Sequence, residues 1–366
     1  MSSTFDAAGP EWADVVPIPQ DDGANPVCPI LYSQPYASGM SLLRALLARS
    51  PPEYSARALD LTTHLLLINP SSYTIWAYRA QILASAPEGP PPAGLGRKEE
   101  RLRREFEWLD GLSEKVSLKN YQIWQHRKQL LHLIPSLSPA YTTYPSVHSE
   151  LDFTSKILEK DAKNYHTWSH RSWLLCAAAA ASASEAGTAS SSSQPPQDLW
   201  QAELEYTTRL IEEDARNNSA WNMRWTAVVG RKKREDVTAE EIESEVAFTK
   251  KSISRVPHNA SAWNYLRGLA SLSSGTNPCA SHVDFAQEIA ARPPTAAGHE
   301  EDEHGELPAV PPENARALEW LFDDACARRS KAEIDALHRR LLLAEPMRRR
   351  YWMYRMLTSA PQAQTA

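Results

Sequence analysis

The sequence predicts an all-α fold: a right-handed solenoid or crescent of about six to seven antiparallel helical hairpins, an α-α superhelix. Two observations predict it. A Trp-x-x-Arg signature recurs along the 366 residues at intervals of 42 to 53 positions, and an amphipathic segment stands ahead of most copies. Self-similarity at such a period marks stacked supersecondary units, each too small to bury its apolar face alone.

Taken in order, residues 1–34 are rich in Pro, Asp and Asn and predict an extended arm ahead of a helical-repeat domain over 35–358. Five segments then align without gaps on one tryptophan: Tyr73…Trp76…Arg79, Tyr121…Trp124…Arg127, Tyr165…Trp168…Arg171, Asn218…Trp221…Arg224 and Ala260…Trp263, the last with Arg267 one place late. A looser copy carries Trp352 and Arg355. Ser71 or Ser72, Asn120, Asn164, Asn217 and Asn259 precede the motifs as N-cap residues, able to accept from the free N–H groups of a first helical turn. Upstream, residues 58–68, 151–158, 204–211 and 246–253 repeat apolar side chains at i, i+3, i+4 and i+7, as packed helices do. Each unit is therefore helix A, a short turn, and helix B beginning at the motif. Trp is expected to fill the A/B interface, and Arg to pair with a carboxylate of a neighbouring unit. Residues 315–328 are a candidate for the sixth helix B. Pro and Gly predict loops at 87–96 and 133–148. In an Ala/Ser/Pro insertion at 177–197 the alanines can prolong the third helix B while residues 190–197 are expected to be disordered, as are an acidic segment at 291–312 and a polar tail at 359–366.

Composition narrows the function. A formal charge of −6 provides no basic field for nucleic acid. Cys28, Cys176, Cys279 and Cys326 are scattered, which predicts a reducing, cytoplasmic setting. Residues 1–16 lack the apolar core of a secretory signal, and no run approaches a membrane span. No Gly-rich phosphate loop or G-x-S-x-G elbow occurs. His166 and His170 have a spacing that can bind zinc, but no Glu completes an H-E-x-x-H, so no metal is expected on this chain.

What remains is the start of helix B. Lys119 and Lys163 directly precede their caps, where a cation, free N–H groups and the positive helix end converge. Tyr73, Tyr121, Tyr165 and His166 occupy the first turns of successive units. Stacking would bring them together along one edge, suited to a phosphorylated apolar ligand.

These Asn-Tyr-x-x-Trp-x-x-Arg repeats resemble the α subunits of protein prenyltransferases. The arm sharpens the resemblance: Glu11-Trp-Ala-Asp14, Pro17-Ile-Pro-Gln-Asp-Asp-Gly23 and Ile30-Leu-Tyr-Ser33 are similar to the segment before the first helix of the α subunit shared by farnesyltransferase and type I geranylgeranyltransferase. It runs from about residue 11 to 273, then more weakly over 313–358. The α subunit of the Rab-specific geranylgeranyltransferase shares the repeat but not this arm. A non-catalytic scaffold would share only the repeat.

The resemblance implies a heterodimer with a β subunit, and transfer of farnesyl or geranylgeranyl from its diphosphate to the cysteine thiol of a C-terminal CaaX motif. Zinc would belong to β, Mg²⁺ is a further candidate for the farnesyl reaction, and this chain would bind no cofactor. Lys119 matches the lysine that stabilises charge on the leaving diphosphate. Gln122 matches the glutamine that binds the substrate's terminal carboxylate. Asn164, Tyr165 and His166 match residues near peptide and diphosphate, and Tyr73 and Tyr121 match tyrosines facing the cavity.

Overall fold

The computed structural model describes residues 5–28, 30–89, 95–113, 119–138, 141–186, 197–273, 277–292 and 313–359. Residues 187–196 of the insertion, 293–312 of the acidic segment and 360–366 of the tail lie outside them, as do parts of the two Pro-rich loops. Among the described residues there are fifteen α-helices and no strand. They fall into two compact units, residues 1–199 and 200–366.

In the first unit α1 (Gln34–Leu47), α2 (Ala56–Ile68) and α3 (Tyr73–Ser85) pack in succession. Then come α4 (Lys98–Leu112), α5 (Tyr121–Leu131), α6 (Val147–Lys160) and α7 (Tyr165–Ala186). The B helices α3, α5 and α7 contact one another in a row, and α2, α4 and α6 are their A partners. The apolar stripe of α2 explains its place: Ala58, Leu61, Leu65 and Leu66 are completely buried. The front of the arm folds onto the first hairpin. A 3-10 turn at Pro10–Trp12 buries Trp12, and Asp14 pairs with Arg49 at 3.1 Å and Arg57 at 2.6 Å.

The second unit holds α8 (Gln197–Glu213), α9 (Asn218–Trp225), α10 (Ala239–Arg255), α11 (Ala260–Ser273), α12 (Val283–Ala291), α13 (Ala315–Ala327), α14 (Lys331–Ala344) and α15 (Arg349–Ser359). Helix α10 packs on α11, α12 on α13, and α14 on α15. The sixth helix B is α13, capped by Asn314 through the N–H groups of Arg316 and Ala317.

One set of contacts recurs wherever the motif does. Asn120, Asn164, Asn217 and Asn259 accept hydrogen bonds from N–H groups two or three residues on, so the expected caps form. The Ser72 cap makes no such side-chain bond. The indole N–H of Trp76, Trp168, Trp221 and Trp263 donates to the carbonyl six residues earlier, at 2.8 to 2.9 Å, tying helix B to its own turn. Asn120 Nδ2 donates to that same Pro70 carbonyl from the next repeat at 2.8 Å, and Asn259 does likewise to Ala215. The cap and the tryptophan therefore share an acceptor and join consecutive hairpins.

The tryptophan ring reaches further than its own A/B interface. Trp76 packs on Trp108 and His126, Trp124 on Phe153 and His170, and Trp221 on Phe248 and Tyr265. In each case both partners belong to the following hairpin, so the ring fills the seam between units. The arginine follows the expectation of an inter-unit pair. Arg79 binds Glu105 through two bonds of 2.7 and 2.6 Å, Arg127 binds Glu150, and Arg224 binds Glu245 through two of 2.7 Å. Each guanidinium also lies over an aromatic ring of that next helix A, 3.9 to 4.0 Å from the centroid.

Candidate functional site

The first turns of α3, α5 and α7 come together on one face of the first unit. Tyr73, Tyr121 and Tyr165 each open a B helix, so stacking of the hairpins places them side by side. They stay 62, 48 and 77% exposed, unusual for aromatic rings in a packed array. The rings of Tyr73 and Tyr121 lie 5.8 Å apart, His166 stacks on Tyr121 at 6.3 Å, and Tyr165 meets His166 edge-on at 5.5 Å.

Behind them opens a cavity of about 470 Å³ lined by Tyr73, Tyr121, Gln122 and His166 at its mouth. Further along the helices its walls are Gln125, His126, Lys128 and Gln129 of α5, with Ser169 and His170 of α7. Four of the seven sequence-derived site residues therefore share one cavity. The other three lie elsewhere. Lys119 is exposed just ahead of the Asn120 cap. Asn164 is buried as the cap of α7, its amide reaching Asp161 Oδ2 at 3.3 Å. Tyr165 points to solvent beside His166.

Gln122 is only 6% exposed, and its Nε2 donates to the Ser71 carbonyl at 2.9 Å. That bond sets the amide's orientation before any ligand arrives. A second N–H on the same nitrogen is left for a carboxylate.

The floor of the cavity is held by buried charge. His126 Nε2 lies 2.9 Å from Glu105 Oε1, and His170 Nε2 lies 3.0 Å from Glu150 Oε2. Burial alone would raise Glu105, but the Arg79 charge and the hydrogen bonds from His126 and Arg79 hold it at about 2. Glu150 is held at about 2 in the same way, against its burial, by Arg127 and His170. Burial pushes both imidazoles below their ordinary value, so they are neutral. A neutral ring beside a carboxylate must donate from Nε2, leaving Nδ1 as an acceptor. Both Nδ1 atoms are buried without a partner. His170 is therefore committed to Glu150, and among the described residues no cluster of three or more His, Cys, Asp or Glu could hold a metal ion.

Sequence reasoning missed the deeper wall and the carboxylates. Gln125, Lys128 and Gln129 follow Tyr121 at helical spacing, a signal that was present. The carboxylates also leave a trace: Glu105, Glu150 and Glu245 each stand three residues before an aromatic, Trp108, Phe153 and Phe248.

The family model "Protein prenyltransferase alpha subunit repeat" matches residues 55–86, 147–178, 200–229 and 242–272. A relative in Dictyostelium discoideum, protein farnesyltransferase/geranylgeranyltransferase type-1 subunit alpha, is 36% identical over 260 residues, 71% of this chain and 69% of that protein. The subunit of the same name in Schizosaccharomyces pombe is 44% identical over 123 residues, 34% of this chain and 37% of its own. The chain thus spans about one to two thirds of the length of these curated relatives. A chain in the solved Candida albicans protein geranylgeranyltransferase-I complexed with GGPP superposes with a TM-score of 0.70 at 25% identity, over 98% of this chain and 100% of that one. Among the described residues no helix is long and apolar enough to cross a membrane.

Proposed function

The chain belongs to the protein prenyltransferase α-subunit family, and from that premise we propose that it is the α subunit of a heterodimeric farnesyltransferase/geranylgeranyltransferase type I. With a β subunit it would transfer farnesyl or geranylgeranyl from the diphosphate to the cysteine thiol of CaaX-terminated proteins in the cytoplasm. The observation that carries this reading is the meeting of Tyr73, Tyr121, Gln122 and His166 at one cavity, in a chain 36% identical to a type-1 α subunit. A scaffold built only to stack has no need of exposed tyrosines there.

Under this reading Lys119 is the catalytic residue, its cation set where charge develops on the leaving diphosphate. Gln122 offers its remaining amide N–H to the substrate's terminal carboxylate. Asn164, Tyr165 and His166 shape the neighbouring peptide and diphosphate contacts, and Tyr73 and Tyr121 wall the apolar path. We assign the zinc to the partner, and Mg²⁺ to the farnesyl reaction.

Co-expression with each candidate β subunit tests the proposal. A stable heterodimer that, with zinc, prenylates a CaaX peptide from either diphosphate is the expected result. A chain that co-purifies with no β subunit, or a heterodimer without transfer activity, would overturn it.

A further inference from the structure

Lys128 lies two turns beyond Tyr121 on α5 and lines the same cavity. It is half-buried, and its ammonium sits 5.0 Å from the Trp173 ring. Burial lowers its pKa, with no nearby carboxylate raising it again. The other charges below the cavity are already matched: Arg79 with Glu105, and Arg127 with Glu150 and Asp110. His126 and His170 beside it are neutral, and the Lys128 charge is one of the causes that keep His170 so. Lys128 is therefore a half-buried cation on the cavity wall, its ammonium over Trp173, with no hydrogen bond or ion pair to any described residue. Gln125, Gln129 and Ser169 surround that space with neutral hydrogen-bonding groups.

An ammonium half-withdrawn from water is unfavourable until an anion joins it. The mouth of the cavity also exposes the large faces of Tyr73 and Tyr121, a composition typical of protein–protein contacts rather than of free surface. We propose that the far end of this cavity, at Lys128 and beyond the substrate-facing Gln122 and His166, is a docking socket for an aspartate or glutamate side chain of the partner subunit. The carboxylate pairs with Lys128 and takes hydrogen bonds from Gln125 and Gln129, and the tyrosines at the mouth stay with the substrate. This rests on the heterodimer reading above, and it adds a specific electrostatic anchor two turns away from Lys119 and Gln122.

The test uses the intact αβ heterodimer. A zero-length carbodiimide joins lysine to carboxylate only where the two already pair. Mass spectrometry of the crosslinked complex should find Lys128 bonded to a partner Asp or Glu. Lys128→Met should speed dissociation of the heterodimer by about 30-fold or more, as loss of a desolvated pair does, and Lys128→Arg should restore most of it. A heterodimer that forms and is active, yet shows no Lys128 crosslink and wild-type dissociation for Lys128→Met, overturns the socket and leaves the functional reading standing. A crosslink from Lys128 to the CaaX peptide instead would give the far end of the cavity to substrate as well, and also overturns the socket. Failure of the wild-type chain to bind any β subunit would sink both.

Discussion

Lys119 and Gln122 stand three residues apart, yet they differ in what holds them. Lys119 is exposed ahead of the cap, where its charge adds to the positive end of α5. Gln122 is buried and tethered to Ser71. Because Lys119 is exposed, removing it should leave the packed core intact. Lys119→Ala is expected to lower the single-turnover rate by about 10- to 1000-fold, on the order of one electrostatic donor, with an unchanged heterodimer. A wild-type rate would remove its assigned role. At this scale the sequence was legible where a residue type breaks the repeat, as Gln122 and His166 do. It told that each arginine meets a carboxylate, but did not single out Glu105 and Glu150. Their partners Arg79 and Arg127 lie 26 and 23 residues away, in a different hairpin, and only packing brings them within reach.

The repeating element is a seam: Trp on the next helix A, Arg on the next Glu, and the cap Asn on the previous turn. Breaking the buried ion pair should be severe, because the surviving carboxylate stays in the dry interior. Arg127→Ala is expected to lose about 3–5 kcal/mol in denaturant unfolding of the first unit. Trp124→Ala should lose a similar 3–5 kcal/mol by leaving a cavity against Phe153 and His170. By contrast Asn314→Ala, which removes the cap of α13, should cost about 1 kcal/mol. Equal losses for the arginine and the cap would contradict the seam. Trp and Arg were legible because their spacing repeats. The aromatic two residues beyond Trp124, Trp168 and Trp263 was not, since His126, His170 and Tyr265 fill one role with two side-chain types.

Across the whole chain the buried His–Glu pairs predict how stability responds to pH. A histidine with a lowered native pKa is protonated more readily when unfolded. Its contribution is present above the ordinary value near 6.5 and is lost as pH falls below it. Glu105 and Glu150, held at about 2, add stability above their ordinary range that is lost from about pH 4.5 down towards 2. Melting should therefore weaken first as pH falls below about 6.5, then again in acid. Replacing both histidines by tyrosine, the residue that serves Glu245 at 2.7 Å, should flatten the first step and keep the second. A first step that persists unchanged in that double variant would place its origin elsewhere.

The spacing of Trp, Arg and Asn was enough for the all-α class, the hairpin unit, the caps and the exposed tyrosine edge. Those features depend on helical periodicity and on the chemistry of a first turn, which are local and therefore written in consecutive residues. Packing alone decided the carboxylate each arginine meets, the fixed orientation of Gln122 and the unmatched charge of Lys128. Each depends on side chains from separate hairpins sharing a dry space, where desolvation makes a missing partner costly, and no spacing along one chain encodes that distance.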